Sequence, residues 1–471
     1  MKNLFISLLT TIIFIISVAT LKCQIINIPI DYLSIQDGMN AAQPGDTVLV
    51  DDGEYFENIN YRGKNIVVAS KFIIDKNVSH ILNTIINGSQ STEVDTGSCV
   101  IFGSGEDSTA VLQGFTLTGG TGTSYVFGGG AAIFREGGCI IMSYSSATIK
   151  NNLIIDNESV VIAGVQGGGG GGISSMYGNP RILNNVIMNN TASYAAGMVL
   201  NWSGGIIRNN IIYNNTGGGQ YGTAGLMIWQ SNPWTAIVEN NTIVENHSTS
   251  IAGGLSIEQT SAIIRNNIIW GNTQQSGPQV TGYQSSIFEY CNTEETYSGI
   301  GNISLNPEFQ STGFLLGSQS PCIDAGNPGM NFNDVEDPGN PGFALYPSLG
   351  ELRNDIGAYG GSGASLLPDF TIVGIKELSE EILPESILLY QNYPNPFNPT
   401  TSIKYTLGIK EFVSLKIYDI LGNEVATLVN EEKPAGEYEI EFNGNKLSSG
   451  IYICNLITKS HLVSNKMILL K

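Results

Sequence analysis

The chain has 471 residues, with 41 Asp and Glu against 21 Lys and Arg, a formal net charge of −20. A surface this acidic repels phosphate backbones, which argues against nucleic acid as a partner. Only 13% of residues are charged and 57 are Gly, a composition that points to stacked β structure and away from helices or disorder.

The chain opens on a leader. Lys2 supplies a positive start, and Leu4 to Val18 is apolar apart from Ser and Thr. That run is short of the roughly 20 residues a bilayer span needs, so residues 1–23 read as a signal peptide cleaved before Gln24, and no transmembrane span is expected in the mature chain. Cys23 would suit a lipoprotein, but Lys22 fits such a site badly. Further on, Ser34 to Gln43 reads as an amphipathic helix, with Ser34 placed to cap it and the acid Asp37 three residues later.

The centre of the chain repeats. Asn-Asn pairs followed by two or three apolar residues recur, and the second Asn of each falls at Asn152, Asn185, Asn210, Asn241 and Asn267, in steps of 33, 25, 31 and 26. Upstream of each sits a second phrase: Gly130 to Phe134, Gly172 to Met176, Gly197 to Asn201, Gly225 to Trp229 and Gly254 to Glu258. These alternate with period two and read as half-buried strands. The inward positions are Ile173 and Ser175, Met198 and Leu200, Leu226 and Ile228, then Leu255 and Ile257. Short strands with no helical period and no hairpin turns between them define a parallel coil, whose stacked turns share one core. Asn tolerates left-handed backbone and can bond upward to the next coil, so the five second Asn residues read as a structural ladder.

These phrases resemble the right-handed parallel β-helix, or pectin-lyase-like, superfamily. The resemblance implies an all-β solenoid over residues 24–361. Ile28 to Gln36, Pro44 to Val50 and Gly53 to Asn58 look like its entry coil, with the helix plugging the open end of the core. Ser320 to Gly326 and Asp355 to Gly361 look like the irregular closing cap of secreted β-helix proteins of the choice-of-anchor Q type.

Residues 362–386 read as a linker. Pro394, Pro396 and Pro399 then forbid a central strand. Short strands follow at Thr401–Leu407, Val413–Tyr418, Gly436–Phe442 and Gly450–Ile457, with turn signals between them, as in a small antiparallel β-sandwich. Residues 387–471 are similar to the type A sorting domain of type IX secretion. The likeness rests on Tyr393 to Pro399, Leu415 to Gly422, Leu447 to Tyr452 and the terminal Lys466 to Lys471. It implies Sec export, passage through the type IX machinery as a partner, removal of the domain, and release or attachment at the cell surface.

Chemistry is harder to find. Beyond the leader lie Cys99, Cys139, Cys291, Cys322 and Cys454, an odd number with no CxxC pair, and the three histidines are His80, His247 and His461. Neither set forms a disulfide framework or a zinc pattern, and no cofactor or metal is expected from them. The acidic tract Asp324, Asp334, Glu336, Asp337 and Asp355 could hold calcium, or serve as polar turn residues in the cap. Lyase chemistry needs a base beside clustered carboxylates. Yet Lys150, Arg208 and Arg265 share a repeat position with Leu183 and Glu239, which reads as a solvated ladder. The Asn-Thr-Asp, Asp-Asp and Gly-His-Gly phrases of polygalacturonases are absent, and Glu239, Glu245 and Glu258 fall on different faces. The glycine clusters at 128–130, 167–172 and 217–219 lack the Lys-Ser/Thr ending of a phosphate loop.

One surface stands out. Phe134, Met176, Asn201, Trp229 and Glu258 are expected to stack into one longitudinal face, with Trp202 beside it. Exposed aromatics suit sugar rings, so a polysaccharide is the partner this face suggests. The alternative is that loops such as 165–172 or 214–223 fold over the face and bury it. Three classes stay open at this stage: a glycan-binding surface protein, a polysaccharide lyase or hydrolase, and a structural stalk or adhesin.

Overall fold

The computed structural model describes residues 23–368 and 388–470, apart from 92, 94, 128–131, 162–163, 220–221, 311–312, 390–391, 393, 408–410, 420–422, 434–435 and 459–461. The expected signal segment, bar Cys23, and most of the expected linker lie outside the described residues. The chain divides into two compact units, Met1–Asp369 and Phe370–Lys471.

The first unit is a parallel β-helix. Its coils contribute to a 10-stranded, a 9-stranded and an 8-stranded sheet, and every strand pair in these three is parallel. Register follows burial. On the first sheet Val48, Val68, Leu112, Ile149, Ile182, Ile207, Val238 and Ile264 stack one above another. On the second sheet Leu117, Ile154, Ile187, Ile212, Ile243 and Ile269 do the same. On the third, Ile140, Ile173, Met198, Leu226 and Leu255 are in register. All belong to one continuous core, which is how a chain of strands only three or four residues long becomes stable. The apolar inward residues read from the sequence lie in it, and Ser175, buried beside them, bonds Ser203 Oγ at 2.8 Å.

The N-terminal end of the core is plugged by the helix Ile35–Ala41, through Ile35 and Met39. Ser34 Oγ accepts from Asp37 N at 3.1 Å, and the Glu57 carboxylate accepts from Ile35 N and Gln36 N at 2.8 and 2.9 Å. Glycine shapes the third sheet. A Cβ on Gly225 would lie 2.4 Å from Gly254 O and 2.9 Å from Ile243 Cγ2, and Gly197 meets Gly225 O in the same way at 2.5 Å. The Gly-led phrase is therefore a packing requirement between coils.

One strand differs from expectation. Ile133–Glu136, which overlaps the end of the expected Gly-led strand Gly130–Phe134, lies outside the third sheet; it pairs antiparallel with Gly122–Val126 in a separate 4-stranded sheet. The coil's third-sheet strand is Ile140–Ser143, which pairs with Ile173–Met176. Both segments alternate after glycine, so period alone does not separate them.

The second unit is all antiparallel in its named strands: a 3-stranded sheet (Leu388–Leu389, Thr400–Leu407, Gly436–Asn443) and a 4-stranded sheet (Glu424–Lys433, Glu411–Asp419, Gly450–Ile457, Leu462–Leu469). They close over Phe397, Ile403, Tyr405, Leu415, Leu456 and Met467. Its two signature motifs meet: Asn395 Nδ2 donates to Lys466 O at 3.1 Å, Asn395 Oδ1 accepts from Ile468 N at 2.8 Å, and Phe397 N donates to Ile468 O at 2.9 Å.

Candidate functional site

The β-helix has two corners built on asparagine. At the corner between the first and second sheets the first Asn of each pair, Asn151, Asn184, Asn209, Asn240 and Asn266, has φ between 52° and 57°. Only Gly, Asn and Asp enter this left-handed region cheaply. The second Asn points inward. Asn152 Nδ2 donates to Asn185 Oδ1 at 3.1 Å, and the 185→210, 210→241 and 241→267 steps follow at 3.0 Å. All five are fully buried. A second ladder, Asn157, Asn190, Asn215, Asn246 and Asn272, runs after the second sheet with steps of 2.9 to 3.0 Å.

The first Asn residues hold something the sequence did not reveal. The C-terminal cap runs back along the solenoid as a strap, one coil per amide. Asn266 Oδ1 accepts from Asn327 N; Asn240 Nδ2 donates to Asp355 O and Gly357 O; Asn209 Nδ2 to Ala358 O and Gly360 O; Asn184 Nδ2 to Gly363 O; Asn151 Nδ2 to Leu366 O. Residues 362–368, expected as linker, thus pack on the β-helix. The acidic tract is largely turned to backbone groups here. Asp355 accepts from Asp324 N and Leu349 N, and Asp334 from Asp355 N and Gly361 N. Burial raises Asp334 to about 8 and Asp355 to about 7. Among the described residues no three His, Cys, Asp or Glu side chains form a metal-ligand group.

The third corner, after the third sheet, uses different residues at the same strained position. Tyr144, Tyr177, Trp202, Gln230 and Gln259 have φ of 52°, 55°, 46°, 48° and 55°. For a bulky residue this region is an outlier that costs about 1–3 kcal/mol. Tyr144 stacks on Tyr177 at 4.9 Å and 12°, and Tyr177 on Trp202 at 5.5 Å and 11°. Gln230 Nε2 donates to Gln259 Oε1 at 2.5 Å and continues the column.

Beside this column lies an open trough of about 480 Å³. Trp202, Trp229, Phe127 and Phe134 line it with Tyr194 and Met227, and the amides of Asn201, Gln230 and Gln259 complete it; none of these side chains is charged. Phe127 packs on Phe134 at 5.4 Å and on Trp202 at 5.5 Å. The opposite wall is Tyr194, which with Trp229 packs on the buried cluster Ala195, Val199 and Met227. Gly169 makes room for that ring, since a Cβ there would lie 2.2 Å from Tyr194 Cε2. The Tyr194 hydroxyl donates to Glu136 Oε1, and Ser174 Oγ donates to Glu136 Oε2 at 2.6 Å. Glu136 is fully buried, and burial raises its carboxyl to about 7 against the pull of these two hydrogen bonds.

Of the residues expected on this face, Met176, Asn201, Trp229 and Glu258 do occupy one register row. Phe134 does not: Ser143 holds its place in the row, while Phe134 reaches the trough from the 122–136 hairpin. Met176 is buried and Asn201 is 6% exposed, whereas Trp202, Trp229 and Glu258 are half-buried. The segments packed against the face are Phe127, Phe134 and the turn at Tyr194–Ala195, with Gly167 of the 165–172 segment, where a Cβ would lie 3.7 Å from Phe134 and from Tyr194. Tyr144, Tyr177, Phe127, Tyr194 and Glu136 were missed. Aligning the phrases on the residue after each strand, 144, 177, 202, 230 and 259, exposes the column directly.

Fold and surface together define a β-solenoid with an aromatic trough on one face and a separate β-sandwich at its C-terminus. The sandwich is placed more closely: residues 391–470 match the family described as secretion system C-terminal sorting domain. This tail directs export to the cell surface or extracellular space and engages the secretion machinery. No helix among the described residues is long and apolar enough to cross a membrane. A search of curated proteins finds no match. Among solved structures, the chain is similar to the enzymatically active domain of tailspike protein 4 of bacteriophage CBA120, with 11% identity and a TM-score of 0.25 over 93% of this chain. The chain spans 65% of the length of that structure.

Proposed function

We propose that this is a cell-surface glycan-binding protein whose trough takes a neutral polysaccharide. The observation that carries the reading is the third corner. The strap corner fills its left-handed positions with Asn, the residue that enters them at least cost. The third corner fills the same position with Tyr144, Tyr177 and Trp202. Backbone strain retained at aromatic residues that are exposed or half-buried points to function. The chemistry fits: apolar ring walls suit the C–H faces of sugars, and a few amides suit their hydroxyls. A lining without charge suits a neutral ligand better than an acidic one.

Trp229→Ala should lose about ten- to hundredfold in affinity for a bound polysaccharide, the usual effect of truncating a central aromatic anchor. Affinity electrophoresis of the full chain against a panel of neutral polysaccharides checks this. If no polysaccharide retards the wild type, or if Trp229→Ala and Trp202→Ala are retarded equally with it, the reading fails.

A further inference from the structure

The outward face of the first sheet carries a row in register: Gln113, Lys150, Leu183, Arg208, Glu239, Arg265 and Glu289. Its far end alternates in sign and pairs internally. Arg208 and Arg265 lie 3.2 and 2.9 Å from Glu239, and Arg265 lies 4.0 Å from Glu289. Lys150 stands apart, between Gln113 and Leu183, with no ion pair among the described residues.

Its electrostatic neighbours are cations. Lys76, from the excursion at Lys71–Asn83, and Arg181, on the next coil, both disfavour the Lys150 ammonium, after burial as the larger cause. Lys76 makes only a long contact of 3.4 Å to Ile73 O and sits 5.3 Å from the Phe72 ring. In a chain of net charge −20, neighbouring cations that form no ion pair among the described residues are costly unless something answers them.

Lys150 and Lys76 also share a cavity of about 510 Å³, a volume in the usual range for a small-molecule site. It lies between the first sheet and the strap. Leu183 of the sheet and Phe72 of the excursion line one side, and Tyr346 and Leu366 its strap side. The neighbouring amides are already spent: Asn151 and Asn184 hold the strap, and Gln113 Nε2 donates to Asn151 Oδ1 at 3.2 Å. What the cavity offers a ligand is apolar wall and positive charge.

We propose that this cavity binds a small organic anion, its carboxylate answered by the ammonium groups of Lys150 and Lys76 and its apolar ring lying against Phe72, Leu366 and Tyr346. The site lies on a different face from the trough and takes a ligand of opposite character, so it stands or falls independently of glycan binding.

The test is calorimetric titration of the full chain with 2-naphthoate and with its neutral counterpart 2-naphthalenemethanol at low ionic strength. The carboxylate should bind about tenfold more tightly than the alcohol, as a charge-assisted contact requires, and should weaken as salt is added. Lys150→Gln should lose about tenfold for the carboxylate and nothing for the alcohol. Lys76→Gln, outside the β-helix sheets and safe for folding, should lose in the same direction. Trp229→Ala should bind naphthoate as the wild type does. Equal binding of acid and alcohol, wild-type binding by both lysine variants, or loss of naphthoate in Trp229→Ala would each overturn the proposal.

Discussion

Asn241→Ala tests the ladder that stacks the coils. Its amide accepts from Asn210 N and Asn210 Nδ2, both at 3.0 Å, and donates to Asn267 Oδ1 at 3.0 Å, Ile207 O at 2.8 Å and Glu239 O at 3.1 Å. The residue is fully buried, so no water replaces what is lost. Asn210 Nδ2 keeps Ile182 O and Arg208 O as partners. The Asn210 backbone N–H loses its acceptor, and the Asn267 Oδ1 loses one donor. Each buried polar group left unsatisfied costs about 1–3 kcal/mol, so the expected destabilisation is about 4 kcal/mol. A small domain holds only about 5–15 kcal/mol in all. Coils interact mainly with neighbours, so unfolding need not be two-state. Hydrogen exchange read coil by coil is therefore the assay to pair with urea unfolding. Protection should fall at Asn210 N–H and at the adjoining coils, and remain at the N-terminal plug. A loss below about 0.5 kcal/mol, the scale of surface substitutions, would refute the view that the ladder bears on stability.

Two other perturbations follow from buried contacts. Glu136 holds its proton more tightly when folded, with its carboxyl raised from 4.5 to about 7. Its share of stability is therefore full below the unfolded value and is lost as pH rises to about 7, a loss of about 3 kcal/mol. Asp334 and Asp355 act in the same direction, so the measurement is the difference between the wild-type and Glu136→Gln stability curves from pH 4 to pH 9. Parallel curves would sink it. Gly225→Ala places a methyl against Gly254 O at 2.4 Å and Ile243 Cγ2 at 2.9 Å, which should cost about 1–3 kcal/mol in urea. Gly218→Ala, whose nearest neighbour would be Thr249 Oγ1 at 3.5 Å, should cost much less, and an equal effect at both would remove the close-packing explanation.

The coil was legible because its constraints are periodic. One apolar row per sheet and one inward Asn at each of two corners recur at matching positions, so that Ile149, Ile182, Ile207 and Val238 align across the repeats. The strap was not legible. Gly357, Ala358, Gly360 and Gly363 contribute backbone carbonyls and glycines that fit a surface, and any turn-rich stretch offers the same letters. The trough was half legible. Trp202 and Trp229 belong to phrases that repeat, whereas Phe127, Phe134 and Tyr194 come from excursions that break the repeat. The misplacement of Phe134 has the same root: its segment carries a period of two but pairs antiparallel with its own neighbour at Tyr125. Lys150 shows the limit of reading by position. It shares a row with Arg208 and Arg265, yet a cavity roofed by a distant part of the chain sets its surroundings.

The distribution of strain over the β-helix says where function is to be sought. Each turn of the solenoid needs left-handed residues at its corners, and the cheapest supply is Asn or Gly. At the first corner Asn holds the strap through its amides, so position and side chain serve structure at once. After the second sheet the left-handed positions of successive coils carry Asp156, Asn189, Asn214, Glu245 and Gly271, small or polar residues for the most part. At the third corner the same backbone carries Tyr144, Tyr177 and Trp202, which secure no strap and join no inner ladder. Their stacking returns part of the cost, but Asn would have removed the cost itself. Under the proposed reading, a glycan lying along that corner accounts for the rings. The column ends in Gln230 and Gln259, which line the trough together with Phe127 and Phe134. The packing of Phe127 on Trp202 and on Phe134 ties both phenylalanines to the corner as parts of one surface.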